Sequence, residues 1–238
     1  SHGEKVAVEA GAVRFTASLQ DGADLARRLH TPGRLQVQVA RGRATTYSEI
    51  AALVGRADWS PFLNRHSEVE VHTAARESRL HHKAAVEKKV GFALGDAARR
   101  LPPAPHRGPK LTQRVQVYMD RDVATISMDA GGELLHRRGW RQVQGKASLR
   151  ENLAAAMLVL SGWTPDEPLL DPFCGAGTIP IEAALMAKAR GPYTGRRLAL
   201  EDWPGLTSRP SQRPSAPAIA QPYGFDKEPT ALDQSRQN

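Results

Sequence analysis

The segment LLDPFCGAGTIPIEAA at residues 169–184 constrains the fold more than any other part of the sequence. Two leucines run into Asp171, which closes a short strand, and Gly175 and Gly177 flank one alanine in a tight turn. Thr178 then provides a suitable cap for a helix. A glycine loop that leads into a helix N-terminus presents free backbone N–H groups, which favour a carboxylate or phosphate. The segment predicts a strand, a ligand-binding loop and a helix.

The apolar residues after the loop, Ile181, Ala184 and Leu185, predict the buried face of this helix.

The residues in and after the loop limit the class of ligand that it could bind. A nucleoside triphosphate site requires a lysine before Ser or Thr, which the segment lacks. A dinucleotide site favours a third glycine and an acid ~20 residues later, whereas the next suitable acid is Asp226.

S-adenosyl-L-methionine fits these residues better. It has no pyrophosphate, so two glycines suffice, and its cationic sulfonium and amino groups suit Asp171. Asp226, at the end of the next strand, would hydrogen-bond the ribose hydroxyls. The alternative is a purely structural strand, turn and helix, which occurs in many α/β proteins.

Composition limits the class of protein. The 238 residues suit one large domain or two ordinary ones. A single cysteine, Cys174, excludes an internal disulfide framework and predicts a reducing compartment, the cytoplasm. No apolar run approaches the ~18–20 residues of a membrane helix, and no histidine has zinc-site spacing, so neither membrane nor metal is expected. The net charge of +8 favours a polyanionic partner such as nucleic acid, although a merely soluble basic protein would also carry it.

The first half of the chain alternates strand and helix signals. Apolar and polar residues alternate at 35–39 and at 68–72, which predicts two half-buried strands. Residues 83–100 predict a helix with one apolar face (Val86, Val90, Leu94 and Ala97). In 114–129, a polar turn at 120–122 separates two alternating runs, which predicts a hairpin. These elements together predict an α+β half.

A basic connector at 134–146 leads to the segment SLRENLAAAMLVLSGW at 148–163. Ser148 and Glu151 have the spacing of a capping box, which predicts a helix that begins after Ser148. Its apolar residues at helical spacing are Leu149, Leu153, Met157 and Leu160.

Two further segments complete the second half. Residues 204–222 are rich in Pro, Ser and Arg and predict a surface loop or an insertion. The end of the chain, 223–238, predicts the end of a strand followed by a helix with Pro229 in its first turn.

Four motifs occur in order along the second half: HRRGWR at 136–141, the segment at 148–163, DPFCGAGTIPIEAA at 171–184 and YGFDKE at 223–228. Together they resemble the THUMP-domain RNA guanine-N2 methyltransferases, in particular the bacterial enzymes that form N2-methylguanosine in 23S ribosomal RNA. In the first half, RESRLHHKAAVEKKV resembles the core of a THUMP domain, and AVRFTASL resembles the strand before it.

The resemblance implies an N-terminal ferredoxin-like and THUMP half at 1–133 that binds RNA, followed by a connector at 134–147. Residues 148–238 would form a Rossmann-like class I methyltransferase domain. The family's catalytic Asn-Pro-Pro-Tyr motif does not occur in these residues, and neither does its adenine-contacting acid. We therefore expect an incomplete methyltransferase domain and assign no catalytic residue.

The resemblance also implies the site residues. The S-adenosyl-L-methionine pocket would comprise Asp171, Pro172, Phe173, Cys174, Gly175, Gly177, Thr178, Glu182 and Asp226, with Ser148 at the methionine end. Cys174 is interpreted as a small packing residue rather than a nucleophile. The candidate RNA-binding residues are Arg76, Arg79 and Lys83, which would contact phosphates or form a solvated charged face.

Arg137, Arg138 and Arg141 beside Trp140 would pack at the junction of the two halves or contact RNA.

Three other functions share parts of the motif pattern described above. One is a THUMP-type enzyme that forms N2-methylguanosine in transfer RNA. Another is a DNA adenine-N6 methyltransferase, which shares the loop but has no reason to carry a THUMP-like half. The third is an RNA-binding module without catalytic activity.

Overall fold

The computed structural model describes residues 6–9, 11–103, 111–143, 148–188, 191–193, 196–206 and 221–238. Its elements are, in chain order, β1 (Ala7–Glu9), β2 (Ala12–Arg14), α1 (Leu19–Arg28), β3 (Gln36–Arg43), α2 (Tyr47–Arg56), β4 (Val69–Arg76), α3 (Lys83–Arg99), β5 (Gln113–Asp120), β6 (Val123–Asp129), α4 (Glu151–Leu160), β7 (Leu169–Asp171), α5 (Thr178–Ala187), β8 (Pro222–Gly224) and α6 (Pro229–Gln237). A short 3₁₀ helix covers Ala199–Asp202.

The larger sheet has the strand order β3-β6-β5-β4. β6 pairs antiparallel with both β3 and β5, whereas β4 and β5 run parallel, with α3 as the connection between them. The predicted strands at 35–39 and 68–72 and the predicted hairpin are confirmed. The hairpin turns at Arg121 and Asp122, whose φ angles of 47° and 63° suit a two-residue turn between twisted strands.

Helices α2 and α3 pack against the larger sheet. On α3, Val86, Val90 and Leu94 are buried, as the sequence predicts, and they share one core with the inward side chains of the sheet. Ala97, the fourth predicted residue, is only partly buried, and Ala98 is buried beside it. This core gives the first half its own layer of helices on a sheet.

A stretch of the second half folds back onto this core. We call residues 196–206 the return segment. Its Trp203 packs edge-on against Phe62, with ring centroids 5.0 Å apart, and donates from its indole Nε1 to Oε1 of Gln113 at 2.8 Å. The backbone N–H of Leu200 donates to the carbonyl of Ala130 at 3.0 Å. The return segment thus belongs to the core of the first half.

The smaller sheet positions the glycine loop. β7 and β8 pair in parallel, with Asp171 opposite Gly224, and α5 lies between them in the chain. Helix α4 packs against α5. The predicted strand end near 223 and the helix with Pro229 in its first turn are confirmed as β8 and α6.

The predicted capping box is wrong. Helix α4 begins at Glu151, and its N-cap is Arg150, which makes no side-chain capping bond. The Glu151 carboxylate instead accepts from Nε of Arg141 at 2.7 Å, and both side chains are largely buried. A charge-assisted bond inside the protein is stronger than a neutral capping bond, which explains why Glu151 points inward.

The predicted apolar faces of α4 and α5 are also wrong. Leu153, Met157 and Leu160 are exposed, and Leu149 is half-buried. The residues that α4 buries are Glu151, Ala154, Ala155 and Leu158, and those that α5 buries are Thr178, Glu182, Ala183 and Ala187. Ile181, Ala184 and Leu185 are only partly buried. The two helices approach through small residues, which turns their larger apolar side chains outward.

Two predicted segments lie partly outside the described residues. These are the connector at 134–147, of which 144–147 are not described, and the loop at 204–222, of which 207–220 are not described. The division into parts at 1–133, 134–147 and 148–238 stays a prediction. In the described part of the chain, no helix is long and apolar enough to cross a membrane.

Candidate functional site

The glycine loop follows the path that the sequence predicts. Gly175 and Gly177 have φ angles of 52° and 81°, which favour glycine. Gly177, rather than Thr178, is the N-cap of α5, and Thr178 is its first helical residue. The N–H of Gly177 donates to the carbonyl of Cys174 at 2.8 Å, which closes the turn. The loop therefore delivers the chain directly into the start of α5.

The carboxylate of Asp226 lies against this loop. Its Oδ2 accepts from the N–H of Gly175 at 2.9 Å, and its Oδ1 accepts from the N–H of Glu228 at 2.9 Å. The bonds from Glu228 and Gly175 hold the pKa of Asp226 below its usual value. Two acids thus meet at the loop, because Asp171 ends the adjacent strand and its carbonyl accepts from the N–H of Phe225.

The space over the loop suits a ligand. A Cβ at Gly175 would meet nothing within 4 Å, so the backbone is open to close approach there. The Asp226 carboxylate accepts backbone N–H groups at both oxygens, and an ionised carboxylate has about four acceptor sites, so it can also accept from a pair of hydroxyl donors. The carboxylate of Asp171, half-buried beside it, favours a cationic group. The residues present fit a nucleoside with a positively charged substituent.

The opposite side of the loop is closely packed. A Cβ at Gly177 would overlap the Ser235 hydroxyl of α6, and a Cβ at Gly224 would meet Cβ and Sγ of Cys174 at 2.9 Å. Cys174 is buried, and burial, followed by the nearby Asp171 and Asp226, raises the pKa of its thiol. A buried thiol held in its neutral form is a poor nucleophile, which supports the packing interpretation.

Glu182 does not reach the open side of the loop. Its side chain has no exposed surface and accepts from Nε of Arg138 at 3.3 Å, from Nε1 of Trp140 at 3.4 Å and pairs with Nδ1 of His30 at 3.2 Å. These partners use both carboxylate oxygens. We therefore correct the prediction for Glu182, which ties α5 to the connector and to the end of α1 rather than lining the pocket.

Arg138 is the centre of this buried cluster. Its guanidinium has no exposed surface and donates to the carbonyls of Leu135 and His30 and to the hydroxyl of Tyr193. Burial raises the pKa of Tyr193 to about 12, so its hydroxyl stays protonated and donates to the carbonyl of Leu29. Arg138 thus packs inside the protein between α5 and the end of α1, whereas Arg137 is exposed and pairs with Glu133 at 3.6 Å.

Arg141 ties the segment before α4 to the start of α5. Its Nη2 donates to the hydroxyl of Thr178 at 2.8 Å and to the carbonyl of Leu149 at 3.3 Å, and its guanidinium lies over the ring of Trp140. Ser148 directly precedes Leu149 in the chain, and its place at the methionine end of the pocket stays a prediction. Thr178 is buried and its hydroxyl accepts from Arg141, so its side chain holds the start of α5 in place.

The remaining loop residues, Pro172 and Phe173, are exposed, and Phe173 is 84% exposed. The N–H of Phe173 donates to Oδ1 of Asp171 at 3.0 Å, which fixes the loop's first turn. In the part of the chain that the structure describes, no group of three or more His, Cys, Asp or Glu residues could hold a metal ion.

The candidate RNA-binding residues lie on a different surface, around the start of α3. Arg76 and Arg79 are 60% and 71% exposed, and their guanidinium groups pair with Glu77 and Asp122 respectively. Lys83 is exposed at the first position of the helix. This first turn contains no acidic residue, so the helix dipole adds to the positive charge there.

Sequence reasoning missed His30 and Tyr193, and it gave Glu182 a different role. His30 and Glu182 are 152 positions apart in the chain, so no local pattern joins them. The signal that could have found the cluster is the density of arginine and tryptophan at 136–141, because a buried arginine requires an acid.

Several known proteins resemble this chain in sequence or in fold. Residues 138–238 match the family model UPF0020, described as an RMKL-like methyltransferase domain. The chain is 34% identical over 183 residues to YpsC of Bacillus subtilis (strain 168), which is named as a candidate RNA methyltransferase. That match covers 74% of this chain and 46% of YpsC, so the chain spans about half the length of this relative.

Two solved structures resemble the fold at 26% identity, and each match covers 99% of this chain. One is a Listeria monocytogenes (str. 4b F2365) protein described as a predicted N6-adenine-specific DNA methylase, with a TM-score of 0.84 and 64% of that chain covered. The other is SMU.472, a candidate methyltransferase complexed with SAH, with a TM-score of 0.82 and 65% covered. The mixed α/β fold therefore resembles class I methyltransferases, and the matches support a relationship with RNA methyltransferases.

Proposed function

We propose that this chain carries the cofactor site and part of the substrate-binding surface of an S-adenosyl-L-methionine-dependent RNA methyltransferase. The observation that carries the proposal is the carboxylate of Asp226, which is bonded to Gly175 at the open side of the glycine loop. The SAH complex of SMU.472 supports this choice of cofactor.

In this proposal each loop residue has a separate task. S-adenosyl-L-methionine supplies an electrophilic methyl group when it is bound. Asp226 accepts the ribose hydroxyls, and the backbone bonds that lower its pKa favour the ionised carboxylate. Gly175 admits the nucleoside close to the backbone, and Asp171 favours the cationic end. The contribution of these residues to the rate is positioning of the cofactor.

RNA is the proposed substrate for two reasons. The relative YpsC carries an RNA methyltransferase name, and its 34% identity exceeds the 26% of the structure described as a DNA methylase. The exposed basic residues at the start of α3, Arg76, Arg79 and Lys83, would contact phosphates. The finer proposal, from the resemblance, is N2-methylation of guanosine in 23S ribosomal RNA, with transfer RNA as the other candidate.

The cofactor proposal is tested by calorimetric titration of the chain with SAH. Asp226→Asn keeps the size of the side chain but removes its charge and one acceptor. We expect roughly ten- to hundredfold weaker binding, the range for lost hydrogen bonds to a charged group. The matched control is Asp233→Asn on α6, which is 64% exposed and should bind normally. Equal affinity of the two variants would remove Asp226 from the site.

The RNA proposal is tested through the salt dependence of binding to a 23S ribosomal RNA fragment. Each phosphate contact contributes a slope of about 0.7 to 0.9 in log affinity against log salt. Replacing Arg79 and Lys83 with alanine should therefore flatten the slope by about 1.4 to 1.8. The control replaces Arg99 and Arg236, which are 78% and 77% exposed elsewhere. If the slope is unchanged in the Arg79 and Lys83 variant, these residues do not contact phosphates and form a solvated charged face.

A further inference from the structure

The larger sheet has a second face that the helices α2 and α3 do not use. On β5, Val115, Val117 and Met119 point into the core and are fully buried. The residues between them point to the other face, because side chains alternate along a strand. One of these is Tyr118, which is 45% exposed although β5 is a central strand. We call this second face the outer sheet face.

The strand register shows what surrounds Tyr118. Tyr118 pairs with Thr125 of β6 and with Ala74 of β4, and Thr125 pairs in turn with Arg41 of β3. Paired side chains lie about 4.5–5.5 Å apart on the same face. Ala74 is exposed and small, so the ring has a free flank on the β4 side. Arg41 is exposed at the other end of the row.

The next row along the strands is wholly polar. Gln38 of β3 pairs with Ser127 of β6, Ser127 pairs with Gln116 of β5, and Gln116 pairs with His72 of β4. The two amides lie at the surface beside the aromatic row, whereas the Ser127 hydroxyl is buried and Nε2 of His72 lies 3.1 Å from a carboxylate oxygen of Glu70. Amide and hydroxyl groups both donate and accept hydrogen bonds, which is what the edges of unpaired bases require.

On the side of the aromatic row that faces the hairpin turn, away from the polar row, the outer sheet face carries positive charge. Arg43 of β3 is exposed two residues beyond Arg41, and Arg76 of β4 is exposed two residues beyond Ala74. Asp120 of β5 lies between them and lowers the net charge of this row to +1. With Arg41, the two rows nearest the hairpin turn carry three arginines against one carboxylate, and Glu77, directly after β4, adds a second carboxylate that pairs with Arg76 at 3.4 Å.

These features suit one occupant. The centre of a protein–protein interface is typically apolar, whereas on the outer sheet face a single ring lies among amides, hydroxyls and arginines. A duplex would not expose base faces to the ring. We propose that the outer sheet face is a platform for single-stranded RNA, with one base stacked on Tyr118 and phosphates at Arg41 and Arg76.

The platform deepens the proposed function, since it rests on RNA being the substrate. It adds a second RNA-contacting surface to the one at the start of α3, and Arg76 lies where the two meet. RNA in this arrangement passes from phosphate contacts at the helix start to base contacts on the sheet. Tyr118 acts in binding and takes no part in the reaction.

The experiment measures fluorescence anisotropy of the chain with single-stranded RNA of about 12 nucleotides, within the range of known single-strand sites. The variants are Tyr118→Phe, Tyr118→Ser and the matched control Phe92→Ser. Phe92 is an aromatic residue of α3 that is 65% exposed on the helix side of the sheet. The same RNA with 2-aminopurine in place of one adenine reports stacking through quenching.

We expect Tyr118→Ser to bind roughly tenfold or more weakly and to lose the quenching, and Tyr118→Phe and Phe92→Ser to stay within about twofold of the parent. Circular dichroism melting confirms that each variant is folded. If Tyr118→Ser binds as the parent does, or loses no more than Phe92→Ser, the platform is wrong and the outer sheet face is left for a protein partner.

A 12-base-pair RNA duplex separates this inference from the proposed function. If the parent binds the duplex but not the single strand, the platform fails while RNA binding stands. If the parent binds neither, the RNA part of the proposed function fails, and the platform fails with it. Binding of the single strand that responds to Tyr118→Ser supports both.

Discussion

The buried pair of Arg138 and Glu182 gives a prediction with a calculable size. Both side chains have no exposed surface, and Nε of Arg138 lies 3.3 Å from Oε1 of Glu182. Arg138→Met keeps much of the volume but leaves the carboxylate without its charged partner. Removing one member of a buried pair costs about 3–5 kcal/mol in the free energy of unfolding. For a chain of this length that corresponds to a loss of about 6–20 °C in Tm.

Differential scanning calorimetry and urea unfolding measure this effect. The control is Arg137→Met, one residue away, because its pair with Glu133 is 67% and 62% exposed and contributes about 0.5 kcal/mol or less. The double variant of Arg138→Met with Glu182→Leu removes both charges and should be more stable than Arg138→Met alone. Equal losses for the two arginine variants, or a double variant that shows the sum of the single losses, would refute the reasoning.

Three further predictions concern the loop. Cys174 should react slowly with Ellman's reagent until the chain unfolds, because it is buried and burial raises the pKa of its thiol. Gly177→Ala should destabilise the chain more than Gly175→Ala, because the new Cβ would overlap Ser235. Gly175→Ala should weaken SAH binding more, because the new Cβ would enter the open space over the loop. Melting curves measure the first effect and calorimetry the second. The folded pKa of Asp226 lies below the unfolded value, so its contribution to stability is present above the unfolded value and is lost as the pH falls through the folded one. Asp226→Asn should therefore unfold with a shallower dependence on acid pH, and an unchanged dependence would contradict this.

The strands and the hairpin could be predicted because their signals are local. The alternation at 35–39 and 68–72 records which side chains face the core, and the two positive-φ residues at the hairpin turn follow from a two-residue connection. The glycine loop could be predicted for the same reason, since Gly175 and Gly177 need no distant partner to adopt their backbone angles.

The faces of α4 and α5 could not be predicted, because distant residues decide them. Glu151 and Glu182 are acids on otherwise apolar helices, and periodicity assigns such residues to the solvent side. In the structure both turn inward to arginines of the connector, Arg141 and Arg138. These contacts rotate the helices relative to the apolar pattern, so the predicted face is correct in spacing but wrong in direction.

The return segment limits how the protein can be taken apart. Trp203 and Leu200 lie in the core of the first half although they follow α5 in the chain, and Trp203 covers Phe62 and Gln113. A fragment that ended at the connector, near residue 133, would leave Phe62 exposed and the amide of Gln113 without its indole donor. Limited proteolysis that cuts the connector should therefore leave the two pieces associated, and the first piece made alone should be prone to aggregation. Dissecting the functions of this chain calls for point substitutions rather than truncations.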